Sequence, residues 1–219
     1  MSDEEFDLDA TQALALAEKY SFEAEHARWQ AKREELSYQQ ELMEHQWQFD
    51  GVYSFFNRVT PKSVNKLLHT MALWDKHDPE GDWVIYLNSV GGDEVHCYAL
   101  LDELTAHSRR GKGGHHIEIR VRGWAASAAG VILQAADHRV MGPTSQLMIH
   151  KGSGGIKGDI DQCFDEVEYM RRSVDRMVDV FLSRTDKVDY DDMLAKINRR
   201  DWWVNAEQAV ELGFADAIG

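Results

Sequence analysis

The sequence contains little cysteine, no long apolar run and no secretory signal. Only two of its 219 residues are cysteines, Cys97 and Cys163, and they form neither a disulfide framework nor a metal-binding spacing. The longest apolar stretch, Trp124–Leu133, is much shorter than the roughly 20 residues that a membrane-spanning helix needs. The acidic N-terminus lacks the basic and apolar regions of a signal peptide. We therefore expect a cytoplasmic protein without a membrane partner, bound metal or cofactor.

Basic residues are also scarce, and the excess negative charge is unevenly distributed. The formal net charge is −14. Residues 1–50 contribute 13 acidic and 4 basic residues, so most of the imbalance lies in this segment. Binding to nucleic acid requires a basic face, and we therefore expect no nucleic-acid partner.

Glycine and proline are absent before Gly51, where alanine, glutamate, glutamine and leucine predominate. This composition predicts a long helix over Asp9–Gln46, in an acidic N-terminal arm spanning residues 1–48. One face of this helix carries a row of apolar residues seven positions apart: Ala15, Phe22, Trp29, Leu36 and Met43. The row could dock on the protein's own body or on a neighbouring subunit, and the alternative is a largely solvated extension.

Residues 49–219 show an alternating pattern that predicts a second domain. The predicted strands are Trp83–Leu87, His116–Val121 and Gln146–His150. The predicted helices are Ser63–His77, Asp93–Ser108, Ala125–Ala136, Asp159–Arg184, Tyr190–Arg199 and Ala206–Gly213. Such alternation is typical of an α/β fold built from βαβ units around a mostly parallel sheet.

Three residues in separate segments could supply serine-protease chemistry. Ser127 lies among small residues in the predicted first turn of a helix, where free N–H groups favour developing negative charge. His150 ends a predicted strand and could act as a base, and Asp201 could orient it. The alternatives are a packing or N-cap serine, a structural histidine, and an acid paired with a neighbouring arginine. Other histidines could also serve as the base: His96, His107, His115 and His116.

A glycine pair follows the strand Trp83–Leu87. Gly91 and Gly92 lie where α/β sheets usually place ligands, and their backbone N–H groups could turn toward a ligand oxygen. The alternative is a simple strand-to-helix turn.

The adjacent His115 and His116 are interpreted as a solvated loop pair, because no His/Cys/Asp/Glu cluster has metal-ligand spacing.

Four motifs resemble those of the ClpP family of self-compartmentalising serine endopeptidases, in the family's order and at close to its spacing. They are N-S-V-G-G, G-W-A-A-S-A-A-G, L-M-I-H-K-G-S-G-G-I-K-G and R-D-W-W-V-N-A-E-Q-A-V-E-L-G-F-A-D. The resemblance covers Phe49–Gly219. It implies that Ser127 is the nucleophile, His150 the general base and Asp201 the orienting acid.

The resemblance also assigns the remaining site residues and the architecture. The N–H groups of Gly92 and Ala128 would form the oxyanion hole. Gly91, Gly154 and Gly155 would bind the substrate, which would add as a β-strand. The fold would be a ClpP/crotonase-like spiral, assembled into stacked rings, in which the helix near Asp159–Arg184 joins the rings of a tetradecamer.

Several features point to particular partners and substrates. In the family, a short axial N-terminus engages an AAA+ unfoldase, and residues 1–48 do not resemble it. The A-A-S-A-A wording and the tryptophans after Asp201 look more like the phage and prophage branch, whose substrates are associated with capsid maturation. Unfolded polypeptide and capsid protein are therefore both expected substrates. Two alternatives remain: a crotonase-like acyl-CoA enzyme, and a catalytically silent subunit.

Overall fold

A computed structural model describes residues 19–37 and 50–219, and the chain divides into two units, Met1–Trp47 and Gln48–Gly219. In the first unit, residues 19–37 form a helix, α1, whose residues are all exposed. Phe22, Trp29 and Leu36 are among its exposed large apolar side chains. The rest of the predicted helix Asp9–Gln46, with Ala15 and Met43, lies outside the described residues.

The second unit alternates strands and helices, as predicted. Its strands are β1 (Val52–Phe55), β2 (Trp83–Ser89), β3 (Ile117–Ala126), β4 (His138–Met141), β5 (Gln146–Ile149), β6 (Trp202–Asn205) and β7 (Ala217–Ile218). Its α-helices are α2 (Pro61–His77), α3 (Glu94–His107), α4 (Ala128–Leu133), α5 (Ile160–Leu182), α6 (Tyr190–Lys196) and α7 (Ala206–Glu211). None of the helices in the described part of the chain is both long and apolar enough to cross a membrane.

The seven strands form one mostly parallel sheet, which confirms the predicted α/β class. Strands β1, β2, β3, β4 and β7 follow one another in parallel. The long strand β3 pairs with β4 through residues 118–121 and with β5 through residues 124–126. Strand β6 then adds to β5 in the antiparallel direction. Strand β3 therefore pairs with different strands along its length, and the ends of β3 and β5 come close to the start of β6.

The core forms because the sequence periodicity matches each element. Strand β2 buries Trp83, Ile85 and Leu87 at alternate positions, as a strand with one face in the core requires. Helix α2 begins with a capping box between Thr60 and Ser63 and buries one stripe of residues. That stripe is Val64, Leu67, Met71 and Trp74.

The predicted helix Ala125–Ala136 is wrong at its start. Strand β3 continues to Ala126, and the helix that follows spans only Ala128–Leu133. Pairing with β5 extends the strand, because Ala125 and Ala126 lie opposite Leu147 and Met148. The short strands β1, β4, β6 and β7 were not predicted, since two to four residues show little periodicity.

The interpretation of His115 as a solvated loop residue is also wrong. Its side chain is buried and stacks on Trp83 with ring centroids 3.8 Å apart. Nδ1 lies 2.7 Å from the carbonyl oxygen of Gly81, and Nε2 lies 3.0 Å from Oδ1 of Asp75. Because these two partners are far from His115 in sequence, the motif itself contains no signal of its burial.

A buried arginine holds the C-terminal end of the chain against the sheet. The guanidinium of Arg139 donates to both carboxylate oxygens of Asp216, at 3.0 and 2.6 Å, and to Oε1 of Gln134 at 2.7 Å. Burial opposes the ionisation of Asp216, but the hydrogen bonds and charge of Arg139 outweigh it, so the pKa of Asp216 is below its ordinary value. Charged Asp216 therefore stabilises the join between β4 and β7.

We expect Asp216→Asn to lower the free energy of unfolding at pH 7 by about 3 kcal/mol, because Arg139 would lose its charged partner inside the protein. A carboxyl with a lowered pKa stabilises the fold above its unfolded-state pKa, and this stabilisation disappears as pH falls through its folded-state pKa. The difference between the wild type and Asp216→Asn should therefore shrink below about pH 4.

Urea unfolding at pH 7 and at lower pH measures both effects. The matched control is Asp82→Asn, which removes an exposed carboxylate from its ion pair with Arg109 and should change stability by less than about 1 kcal/mol. Equal losses in the two variants would contradict a special role for the Arg139–Asp216 pair.

Candidate active site

Ser127 occupies a tight turn between strand β3 and helix α4. Its φ is 56° and its ψ is −125°, a strained conformation for a residue other than glycine. The sequence predicted that Ser127 lies in the first turn of the helix, but the residue directly precedes the helix. Its side chain makes no capping hydrogen bond. Its N–H donates to the carbonyl of Met148 at 2.8 Å, which fixes the turn against β5. The hydroxyl is thus free for another partner.

That partner is His150, which follows the last residue of β5. The parallel register places Ala126, the last residue of β3, opposite Met148 in β5. Ser127 and His150, which follow the two strands, therefore lie close together. Nε2 of His150 lies 2.8 Å from Oγ of Ser127, within hydrogen-bond distance. A base with this geometry can take the hydroxyl proton as the serine oxygen attacks.

Asp201 lies on the other side of the same imidazole. It directly precedes β6, whose antiparallel register sets Trp202 opposite Ile149. Oδ1 of Asp201 is 3.5 Å from Nδ1 of His150, and the aspartate side chain is 55% exposed. The structure therefore brings Ser127, His150 and Asp201 together, with a close contact on the serine side and a longer one on the aspartate side.

The glycine pair packs directly against the serine turn. A Cβ on Gly91 would lie 2.6 Å from the Ala126 carbonyl oxygen and 2.9 Å from the Ala128 nitrogen, so only glycine fits. Ala128 is the first residue of helix α4, so its N–H group has no acceptor within the helix. Neither it nor the N–H of Gly92 donates to any residue in the described ranges. Two unpaired donors on residues that line the same cavity as a serine hydroxyl can stabilise an oxyanion.

A cavity of about 700 Å³ opens beside these residues. Ser127, His150, Gly92 and Ala128 all contribute to its lining. Gly154 lines it too, whereas a side chain on Gly155 would meet nothing within 4 Å. The segment that contains both glycines, residues 151–157, has no strand partner, so its backbone is available for pairing with an extended chain.

The remaining cavity wall was not predicted, because it comes from elements far apart in sequence. Its apolar members include Val131, Met148, Met170, Val174 and Met177. Each is an ordinary helix or strand residue, and no local motif marks it. Only the fold shows that they surround one space.

Cys97 also lines this cavity, but its thiol is not activated for nucleophilic attack. Burial and the nearby acids Glu94 and Asp93 raise the pKa of Cys97 to about 12, so the group remains a thiol. It donates to the carbonyl oxygen of Ala128 at 3.2 Å and thereby joins α3 to the start of α4. Within the described residues, no group of three or more His, Cys, Asp or Glu side chains is arranged to hold a metal ion.

Comparison with known proteins gives relatives that are peptidase subunits. The ATP-dependent Clp protease proteolytic subunit of Deinococcus radiodurans is 26% identical over 166 residues, which cover 73% of this chain and 76% of that protein. Proteolytic subunit 1 of Shouchella clausii is 27% identical over 174 residues, covering 77% and 84%. Proteolytic subunit 3 of Nocardia farcinica is 30% identical over 172 residues, covering 74% and 71%.

These relatives support a serine peptidase of the Clp type, and they agree with the resemblance found in the sequence motifs. Residues 49–219 match the sequence profile of the Clp protease family. This match covers the second unit almost completely. The chain belongs to the Clp protease family.

Proposed function

We propose that this protein is a serine endopeptidase that hydrolyses peptide bonds with a Ser127–His150–Asp201 triad. The observation that carries the proposal is the 2.8 Å contact between Nε2 of His150 and Oγ of Ser127. Asp201 on the opposite ring nitrogen favours an active enzyme, because a catalytically silent subunit has no need to keep these groups together. A crotonase-like acyl-CoA enzyme would use the oxyanion donors without requiring this pair.

In the first half of the proposed reaction, Oγ of Ser127 attacks the carbonyl carbon of the scissile peptide. His150 takes the hydroxyl proton at Nε2, and Asp201 stabilises the imidazolium and holds its orientation. The N–H groups of Gly92 and Ala128 donate to the oxyanion. Loss of one such donor costs about 3 kcal/mol of barrier height in comparable sites.

The second half releases the products. The C–N bond breaks as His150 returns its proton to the leaving amine, which gives an acyl-enzyme on Ser127. Water then attacks the ester, with His150 as the base again, and the free carboxylic acid leaves. No step consumes ATP, so hydrolysis is ATP-independent in this chain itself.

We also propose that the substrate lies extended along residues 151–157, with Gly91, Gly154 and Gly155 bordering its backbone. An unpaired edge recognises an added strand through backbone hydrogen bonds, and this allows many sequences to bind. Such a mode suits unfolded polypeptide.

The proposal predicts that a fluorophosphonate probe labels Ser127 in the wild type and fails to label Ser127→Ala. The matched control is Ser153→Ala, which removes a hydroxyl from the lining of the same cavity, whereas the hydrogen bond to His150 belongs to Ser127. Mass spectrometry of the labelled peptide identifies the site. Absence of label on Ser127 in the assembled protein would contradict the proposed nucleophile.

A second prediction concerns the aspartate. We expect Asp201→Asn to lower kcat/KM for a peptide substrate by about 10⁴-fold, less than Ser127→Ala, because loss of the aspartate alone leaves the serine and base in place. The exposed Asp186→Asn is the control and should retain wild-type kinetics. Wild-type activity in Asp201→Asn would remove Asp201 from the triad.

We further propose that the subunits form stacked rings, a tetradecamer, joined through helix α5. This helix leaves apolar side chains exposed along its first half, among them Ile160 at 74% and Phe164 at 70% exposure. A surface of this kind is typical of protein–protein contacts. The names of the relatives include the word subunit, which agrees with an assembly.

The ring proposal predicts that Phe164→Asp halves the particle mass, because a charge at the contact separates the rings. Light scattering coupled to size exclusion measures the mass, and Asp165→Asn on the same turn serves as the control. If Phe164→Asp kept the full wild-type mass, helix α5 would not be the contact between rings.

The remaining assignments are also proposals. Residues 1–48 would form an acidic helical arm and residues 49–219 the protease domain, in the cytoplasm. The relatives' names include the term ATP-dependent, and a Clp-type AAA+ unfoldase is the corresponding partner here. A place in the phage and prophage branch would make a capsid protein the substrate instead of unfolded chains delivered by that ATPase.

A further inference from the structure

Two residues that line the cavity beside Ser127 carry buried polar atoms that have no partner. Within the described residues, four buried side-chain nitrogen or oxygen atoms lack a hydrogen bond, and two of them belong to residues that line this cavity. These are Oε1 of Glu94, at the start of α3, and Oγ of Ser173, on α5. The two residues lie on different helices, so the local structure of a single helix does not explain why both atoms are unpaired.

Leaving such atoms unpaired is unfavourable. A buried acceptor without a donor forfeits the hydrogen bonds that water would have supplied, and the penalty is larger for a carboxylate than for a neutral group. Neither atom has a hydrogen-bond partner among the described residues. A ligand in the cavity that brings a donor to the Glu94 carboxylate would remove this penalty for that group.

The rest of the buried wall accepts an apolar stem. Cys97, Val131, Met148 and Met177 line the cavity and are at most 9% exposed. The flexible methionine side chains can adapt to a long, unbranched ligand. The wall therefore suits a side chain with an aliphatic stem and a terminal donor, which describes lysine and arginine.

The other charged groups around the cavity do not neutralise Glu94. Asp93 is the N-cap residue of α3, and its Oδ1 accepts from the backbone N–H of His96. The same oxygen lies 2.6 Å from Nδ1 of His96. Arg58 and Lys151 line the cavity but are exposed, and neither reaches the buried oxygen of Glu94. The guanidinium of Arg176 stacks on Tyr98, 4.8 Å from the ring centroid.

We propose that Glu94, assisted by Ser173, selects substrates with a basic side chain at P1, the residue whose carbonyl is attacked by Ser127. The P1 side chain is the one next to the reacting carbonyl, and the cavity opens beside Ser127 to receive it. A carboxylate in the corresponding pocket sets a preference for basic residues in other serine proteases. This inference rests on the proposed function, and it adds the substrate class.

The test uses peptidyl phosphonates that react covalently with Ser127 and differ only at P1, which is either arginine or its neutral isostere citrulline. In the wild type, we expect the arginine probe to react about tenfold faster, because only it carries the charge that pairs with Glu94. Glu94→Gln should bring the two second-order rate constants to within about twofold of each other. Ser173→Ala should reduce the preference by about threefold.

The matched control is Glu103→Gln, an exposed acid on the same helix, which should keep the wild-type preference. A wild type without preference for arginine, or a Glu94→Gln variant that retains it, would overturn the inference. If Glu94→Gln does not fold, the wild-type ratio and the Ser173→Ala ratio decide. A small fluorophosphonate without a P1 side chain separates the two failures: if it does not label Ser127, the proposed function fails and takes this inference with it, and if it does, only the P1 preference is wrong.

Discussion

The backbone at Gly91 and Gly92 approaches the neighbouring segments so closely that no side chain fits between them. A Cβ on Gly91 would lie 2.8 Å from that of Ser127, and a Cβ on Gly92 would overlap the carbonyl oxygen of Val59. The carbonyl of Gly91 accepts from the N–H of Val59, and the carbonyl of Val59 accepts from the N–H of Asp93. These bonds tie the segment that follows β2 to Val59, and in this position Gly91 lies directly against the serine turn. The two proposed oxyanion donors, the N–H groups of Gly92 and Ala128, and the cavity that both residues line depend on this contact.

Two strand registers then assemble residues that are far apart in sequence. Strand β5 lies between β3 and β6, parallel to the first and antiparallel to the second. His150, at the end of β5, consequently meets Ser127 on one side and Asp201 on the other. Because the registers are fixed by buried side chains such as Leu147 and Val204, the core also determines the geometry of the proposed triad.

Much of the fold could be predicted because its helices are long and its central strands alternate regularly. Helix α5 and strand β2 are examples, and Ser127 and His150 stood out because their motifs are distinctive. The contact with Asp201 could not be measured from sequence, since it depends on the unpredicted strand β6. Glu94 gave no signal either, because an acid in the first turn of a helix is ordinary and only the fold shows its unpaired oxygen.

The small residues around Ser127 have a structural purpose, because they allow the segment that follows the serine to pack densely. All six residues of helix α4 are buried, and a Cβ on Gly130 would lie 2.9 Å from Cδ1 of Leu147. A left-handed φ at a serine is unfavourable by about 1–3 kcal/mol, and it persists only where the surroundings impose it. Dense packing of α4 and the bond from Ser127 to Met148 supply that constraint. The run of alanines therefore holds the proposed nucleophile in its strained turn. Enlarging the fully buried Ala125 or Ala129, neither of which lines the cavity, would disturb the serine before it obstructed a substrate.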